Sequence, residues 1–302
     1  MSLNAKNITS IIDANWFGTS TAAEITHISI DSRSMQNGAE TLFFALVGPN
    51  NNGHNYIAEL IQKGVRNFVV TAIPDNLKST ANFLVVQNTL EALQKFAGYY
   101  RNLYHFPIIG ITGSNGKTIV KEWLNFLLSP DFSIIRSPKS YNSQVGVPLS
   151  IISINENHNL GIFEAGISTS NEMSKLEQII KPTIGILTNL GSAHDEGFAN
   201  FEEKIKEKTA LFANAEILIF KKDKAVEAFL NANLKTFTWS FKDLTADVTI
   251  SQKTLSDKTI LEVTKLDKKF LVTIPFKDDA SIENAINCLM VLLHLKYDTS
   301  VI

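Results

Sequence analysis

The sequence predicts an α/β protein in two parts: a small N-terminal α/β domain over residues 1–104, then a P-loop central domain over 105–302 with a mainly parallel sheet and a few antiparallel strands. Three observations predict it. The apolar run Phe106-Pro107-Ile108-Ile109-Gly110-Ile111 enters the turn Thr112-Gly113-Ser114-Asn115-Gly116-Lys117-Thr118 and then a helical pattern from Ile119 to Leu128. In that order, strand to turn to helix, backbone N–H groups and a helix N-terminus can receive a phosphate. Downstream, compact apolar runs such as Ile162-Phe163-Glu164 and Ile184-Gly185-Ile186-Leu187-Thr188 alternate with helical patterns over short links, as in a parallel sheet covered by helices on both faces. Later the pattern changes to runs at 248–251, 259–264 and 270–274 separated by Lys/Asp-rich turns, which read as antiparallel strands.

Taken in order, the first part reads as a helix over 7–16 capped near Asn7, then a strand over 26–30 that stops at Asp31-Ser32-Arg33-Ser34. A short strand at 41–46, a polar loop from Gly48 to Gly53 and a helix over 55–63 follow, with Ile57, Leu60 and Ile61 on one face and Gly64 ending it. Strands at 67–71 and 83–86 precede an amphipathic helix over 89–104 with Leu90, Leu93, Ala97 and Tyr100 at helical spacing. Beyond the glycine turn, helices are expected at 171–180, 201–212, 222–231 and 281–295, with a strand at 216–220. The chain carries no internal repeat and no low-complexity tract.

Composition narrows the function classes. A chain of 302 residues, 44% hydrophobic and 19% charged, can build two proper cores without staples. A net charge of −2 gives no sequence-wide attraction to nucleic acid or to an anionic membrane, so an anionic ligand must be held locally. The single cysteine, Cys288, cannot form an internal disulfide, and no apolar run approaches the ~20 residues that span a bilayer. With no signal peptide in view, a cytoplasmic location is expected.

The residues suggest four places for chemistry. In the glycine turn, Lys117 supplies a point cation and the Thr118 hydroxyl can hold Mg²⁺, although the strict P-loop pattern requires glycine where Ile111 stands. Glu164, at a strand end before Ala165-Gly166, is either a Mg²⁺ ligand beside that turn or a surface glutamate. His194 follows the next strand in Thr188-Asn189-Leu190-Gly191-Ser192-Ala193-His194, as a metal ligand or an ordinary loop histidine. Asp31-Ser32-Arg33 and Asn52-Gly53-His54 are turns that could grip a pyrophosphate or read a base edge, or simply turn the chain. The charged stretch Glu202 to Lys208 reads from its pattern alone as a solvated helix face.

Thr112 to Thr118, Glu164-Ala165-Gly166, Thr188-Asn189 and His194-Asp195-Glu196-Gly197-Phe198, in this order and spacing, resemble the ATP-dependent Mur ligases of peptidoglycan synthesis. The glycine turn of that family is itself shorter than the usual P-loop pattern. Asp31-Ser32-Arg33, Gly53-His54 and Asn142 to Leu149 resemble most the branch that adds D-alanyl-D-alanine to UDP-N-acetylmuramoyl-tripeptide. The resemblance implies ATP and Mg²⁺ as cofactors. It implies that a substrate carboxylate attacks the γ-phosphate to give an acyl phosphate, which the incoming amine displaces to form an amide. Gly113, Ser114, Asn115, Gly116, Lys117 and Thr118 would bind the nucleotide phosphates, and Asn284 the adenine side. Thr118 would hold one Mg²⁺, and Glu164, His194 and Lys208 would serve a second. Lys208 stands where the family carries a carbamylated lysine, with Lys206 as the alternative register. Ser32, Arg33 and His54 would lie on the uridine diphosphate side, and Asn142 would also bind the substrate.

Two departures from the family pattern are Ala280-Ser281 in place of His-Asn and Ser143-Gln144 in place of Asn-Glu. The family's C-terminal Rossmann-like domain is absent from these residues, and in some members an alanine racemase is fused to the ligase. The chain is expected to be a monomer that neither binds nucleic acid nor inserts in a membrane. The rival expectations are a sister ligase that adds a single amino acid and a nucleotide-binding module without turnover.

Overall fold

The structure, a computed structural model, describes residues 3–18, 24–33, 38–191, 198–266 and 268–299. The chain divides into two compact units, Met1–Leu103 and Tyr104–Ile302.

The first unit is built on a five-stranded sheet in the order Asn15–Phe17, Asn82–Val85, Asn67–Val70, Thr41–Phe44, His27–Ser29. All neighbours are parallel except Asn15–Phe17, which runs antiparallel to Asn82–Val85. The central strands read Thr-Leu-Phe-Phe and Asn-Phe-Val-Val and are buried along their whole length, as parallel strands covered on both faces must be. Phe43, Phe68 and Phe83 form the centre of one core with Ile57 and Leu60, and the rings of Phe68 and Phe83 stack at 5.7 Å. Helix Thr89–Arg101 starts where expected, because the Asn88 side chain accepts from the N–H groups of Leu90 and Glu91. The first helix differs from expectation. It spans Ala5–Ile11 and is capped by Asn4, whose Oδ1 accepts from Lys6 N–H at 2.8 Å. Asp13 then turns the chain at a φ of +53°, and residues 15–17 pair as a strand instead of extending the helix.

The second unit holds a nine-stranded sheet in the order Ile134–Arg136, Leu160–Glu164, Ile108–Thr112, Ile184–Leu187, Ile217–Lys221, Lys235–Ser240, Val248–Thr254, Thr259–Lys265, Lys268–Ile274. It is parallel as far as Val248–Thr254 and antiparallel over the last two pairings. Strand Lys235–Ser240 was not expected. The helix expected over 222–231 is one turn, Lys224–Glu227, capped by Asp223, and this frees the chain to add a strand whose Trp239 is fully buried. Strand Ile134–Arg136 and helix Gly146–Ile152 are likewise additions, the latter tolerating Pro148 because a first-turn residue needs no helical N–H donor. Helix Lys117–Leu128 and helix Asp279–His294 cover the sheet with Val120, Leu124, Leu128, Ile286 and Met290. Registers of Ile111 with Glu164 and of Thr112 with Leu187 align the C-terminal ends of three strands, the edge at which open α/β sheets bind ligands. No helix of the described residues is long and apolar enough to cross a membrane.

Candidate functional site

The glycine turn is shaped by two positive φ angles, +146° at Gly113 and +83° at Gly116. Glycine is required there for space as well as conformation. A Cβ on Gly113 would lie 2.0 Å from Thr188 Oγ1, and one on Gly116 would lie 2.2 Å from Asn284 Oδ1. Thr188 and Asn284, far apart in sequence, therefore both rest on the turn. The Thr188 hydroxyl donates to the carbonyl of Asn115 at 2.6 Å. Asn189 takes two of the turn's amides, Ser114 N–H on its carbonyl and Asn115 N–H on its Oδ1, each at 2.9 Å. The expected phosphate donors at Ser114 and Asn115 are thus engaged. The amides that open helix Lys117–Leu128 have no acceptor inside it and face the same edge.

Two lysines reach this turn and a third stands beside it. Lys117 Nζ donates to the carbonyls of Gly113 and Ser114 at 2.9 and 3.3 Å, and Lys208 Nζ donates to Gly113 O at 3.1 Å. Lys204 Nζ donates to Gly191 O, which also accepts from Ser114 Oγ. Lys204 and Lys208 are each 1% exposed, so the solvated-face reading of helix Phe201–Thr209 fails for them, while it holds for Glu202 and Lys206 on the outer face. Burial pushes the Lys208 ammonium down to about 8, with Lys117 and Lys204 adding like-charge repulsion. Burial also lowers Lys117, against the opposing pull of Glu164. Lys204 was not singled out in the sequence. Its i,i+4 spacing to Lys208, flanking Ile205 and Thr209, is the signal that could have found it.

Glu164 is fully buried. Its Oε2 accepts from the Thr118 hydroxyl at 2.9 Å, and its Oε1 accepts from Lys121 Nζ at 3.1 Å. Of the two readings of Glu164, the surface glutamate is excluded. Lys121, also fully buried, was overlooked because an isolated lysine in a helical pattern gives no sign of the partner that burial requires. His194 lies outside the described residues. Asn142 packs on Gly166, whose N–H donates to the Asn142 carbonyl at 2.8 Å, next to the Glu164 strand end. A cavity of about 290 Å³ opens beside the turn, lined by Thr188, Asn189, Leu190, Lys221, Asp223 and Glu283, with Asn284 adjacent in sequence. Among the described residues no group of three or more His, Cys, Asp or Glu side chains could hold a metal by itself.

The first unit holds the remaining candidates. Arg33 forks onto its own neighbour, Nε to Asp31 Oδ1 and a terminal N–H to Oδ2, each at 2.9 Å, and this pairing lowers the Asp31 carboxyl to about 2. The Arg33 side chain is 87% exposed, so that fork can be exchanged for another anion at little cost. Ser32 stands in the same turn, and its carbonyl accepts from Lys63 Nζ at 3.4 Å. His54 is tied on both sides. Thr71 N–H donates to Nε2 at 3.0 Å, which leaves the proton on Nδ1, facing Asn52 Oδ1 at 2.8 Å. Burial lowers its pKa, in keeping with a neutral ring that braces two loops.

With this geometry in place, comparison with known proteins gives a consistent answer. A family model described as Mur ligase middle domain matches residues 111–292, and one described as Mur ligase family, catalytic domain, matches residues 24–101. The UDP-N-acetylmuramoyl-tripeptide--D-alanyl-D-alanine ligase of Rickettsia prowazekii (strain Madrid E) is 31% identical over 267 residues, which is 85% of this chain and 58% of that protein. The ligase of the same name from Treponema pallidum (strain Nichols) is 33% identical over 218 residues, 68% of this chain and 46% of that protein. The chain thus spans about half the length of these relatives. In fold it is similar to MurF from Acinetobacter baumannii, with a TM-score of 0.87, 21% identity and coverage of 100% of this chain and 67% of that one. The MurF ligase of Thermotoga maritima in complex with ADP aligns with a TM-score of 0.79 at 23% identity, covering 90% of this chain and 64% of that one.

Proposed function

The chain belongs to the Mur ligase family, and from that premise we propose that it forms the UDP-substrate and ATP-binding part of a ligase that joins D-alanyl-D-alanine to UDP-N-acetylmuramoyl-tripeptide. The observation that carries this reading is the buried Glu164, side by side with the Thr118 hydroxyl, at the mouth of a glycine turn on which Lys117 and Lys208 converge. That is a site for a polyphosphate. The first unit would take the UDP end through Ser32 and Arg33, with His54 holding its loop, and Asn142, packed on Gly166, is proposed as a further substrate contact.

In the proposed reaction the tripeptide carboxylate attacks the γ-phosphorus of ATP, and ADP leaves with the electron pair of the bridging bond. The amine of D-alanyl-D-alanine then attacks the acyl phosphate, phosphate departs, and the nitrogen loses a proton as the amide forms. Little of this needs protein acid–base chemistry, so positioning and charge compensation dominate. Lys117 exchanges the Gly113 and Ser114 carbonyls for phosphate oxygens. The opening amides of helix Lys117–Leu128 receive the same phosphates, and Asn189 keeps the turn in one shape. The cavity lined by Asn189 and Glu283 is proposed to take the nucleoside, and Asn284, the residue after Glu283, packs against Gly116 of the turn.

The donor set fits Mg²⁺, since Thr118 Oγ1 and Glu164 Oε2 are hard oxygens placed together, and Mg²⁺ takes one or two protein oxygens plus phosphates and water. When bound, Mg²⁺ neutralises charge on the transferring phosphoryl group. Lys208 is proposed as the modified lysine. With its pKa near 8, roughly half of its amines are neutral at pH 8, against about one in three hundred at an ordinary 10.5. Only the neutral amine adds CO₂, so ¹³C-bicarbonate at pH 8 is expected to give a carbamate resonance that Lys208→Met abolishes. A spectrum unchanged by that substitution would remove the assignment. The same depression sets a pH trend in CO₂-free buffer. Between about 8 and 10.5 the unfolded chain holds the Lys208 proton and the folded chain does not, so this residue adds stability as pH rises.

The test of the function is phosphate release by a polypeptide of the relatives' full length, given ATP, UDP-N-acetylmuramoyl-tripeptide and D-alanyl-D-alanine. Release is expected only with all three. Turnover supported instead by a single amino acid would point to a sister ligase, and nucleotide binding without turnover to a non-catalytic module.

A further inference from the structure

Lys121 has no part in the reaction above, yet its ammonium group is held by several partners next to Glu164. Its Nζ is fully buried and donates to Ser137 O at 2.8 Å, to Lys139 O, and to Glu164 Oε1 at 3.1 Å, with Glu122 Oε1 at 3.3 Å. The segment that supplies the carbonyls is bent to do so. Lys139 sits at a φ of +50°, and Ser137 reaches back with its hydroxyl to accept the Glu164 N–H at 3.4 Å. Three elements, helix Lys117–Leu128, the end of strand Leu160–Glu164 and the loop at 137–139, are thus locked around one ammonium group. The result is asymmetric at the carboxylate: Oε1 is taken by Lys121, and Oε2 points at Thr118.

We propose that Lys121 is a positioning residue that restricts Glu164 to a single ligating oxygen and thereby selects Mg²⁺ over Ca²⁺ at this site. The inference rests on the reading of Thr118 and Glu164 as a metal–nucleotide site. Mg²⁺ demands near-octahedral geometry at short distances and is content with one carboxylate oxygen, whereas Ca²⁺ takes six to eight oxygens and readily uses a carboxylate through both. A cation locked on Oε1 denies the second mode and leaves Oε2 geometrically open for the first. It also removes part of the negative charge that would otherwise favour any divalent ion indiscriminately. Second-sphere partners of this kind commonly tune metal affinity by ~10–100-fold.

The experiment is a titration of a fluorescent ADP analogue into the full 302-residue chain, with Mg²⁺ or Ca²⁺ varied at fixed nucleotide, for the parent, Lys121→Met, Lys121→Gln and Lys121→Arg. The parent is expected to prefer Mg²⁺. Lys121→Met should raise the Mg²⁺/Ca²⁺ ratio of half-saturation concentrations by on the order of tenfold, chiefly by lowering the Ca²⁺ value, and Lys121→Arg, which keeps the cation and its donors, should preserve the ratio. If Lys121→Met does not fold, Lys121→Gln carries the test, because it retains a donor for the 137 and 139 carbonyls while removing the charge from Oε1. A lower melting temperature with the ratio within twofold of the parent would mean a purely structural tie and would overturn the proposal. Nucleotide binding by the parent that ignores both cations would instead defeat the metal reading, and this inference with it, before any variant is compared.

Discussion

Lys117→Met is expected to weaken ADP and ATP binding by roughly a hundredfold while leaving the melting temperature unchanged or slightly raised. The two halves of this expectation have separate causes. Lys117 donates to the carbonyls of Gly113 and Ser114, which are neutral partners, and its burial holds its pKa below the ordinary lysine value. The folded protein therefore bears a desolvation cost for this ammonium that a methionine of similar length removes. A bound polyphosphate would be a far better partner than the two carbonyls, and loss of that interaction is loss of binding. Calorimetric titration with ADP, next to a thermal melt of the same sample, measures both. Affinity within threefold of the parent would show that the phosphates are held elsewhere.

Gly113→Ala should be strongly damaging, costing about 3 kcal/mol or more from backbone strain and broken hydrogen bonds and abolishing nucleotide binding. At a φ of +146° a side chain is strained whatever the space, and here the space is absent: Thr188 Oγ1 lies at 2.0 Å, with backbone atoms of Asn189 at 3.0 and 3.1 Å. The hydroxyl of Thr188 can rotate away only by giving up its bonds to the carbonyls of Thr112 and Asn115, and the Asn189 backbone is fixed by Ser114 N–H. Gly64→Ala is the matched control. Its φ is +94°, but nothing lies within 4 Å of the added Cβ, so only the conformational strain of ~1 kcal/mol should appear. Denaturant midpoints for the two variants separate strain from collision. Equal losses would mean that the close approach of Thr188 to the turn contributes nothing.

Where local chemistry was self-contained, the chain could be read directly. The turn from Gly113 to Thr118 needs two glycines, a lysine and a threonine in consecutive register, and those residues announce themselves. The parallel core could also be read, because strands such as Ile108–Thr112 and Ile184–Leu187 are buried on both faces and must be apolar throughout. Boundaries failed where a single cap or a long-range pairing decided them. Asn4 and Asn7 are both competent caps, and only the accepted Lys6 N–H distinguishes them. Lys235–Ser240 became a strand because an open sheet edge at Ile217–Lys221 was available, which no local propensity records.

For the site, the sequence by itself determined the glycine turn between strand and helix, the presence of a carboxylate at a strand end and, through its ordered motifs, the family. Only the tertiary structure decided which of the charged residues are inside. Lys204, Lys121 and Lys206 are equivalent as letters. The first is buried against Gly191, the second is locked to Glu164, and the third is in solvent. The physical reason is that the energy of a buried charge is set by partners and dielectric in space, and partners such as Lys121 with Glu164 or Thr188 with Gly113 lie forty to eighty residues apart along the chain. Periodicity reports which face of a helix is apolar, but it does not report that a cation on that face will meet a carboxylate from a strand end.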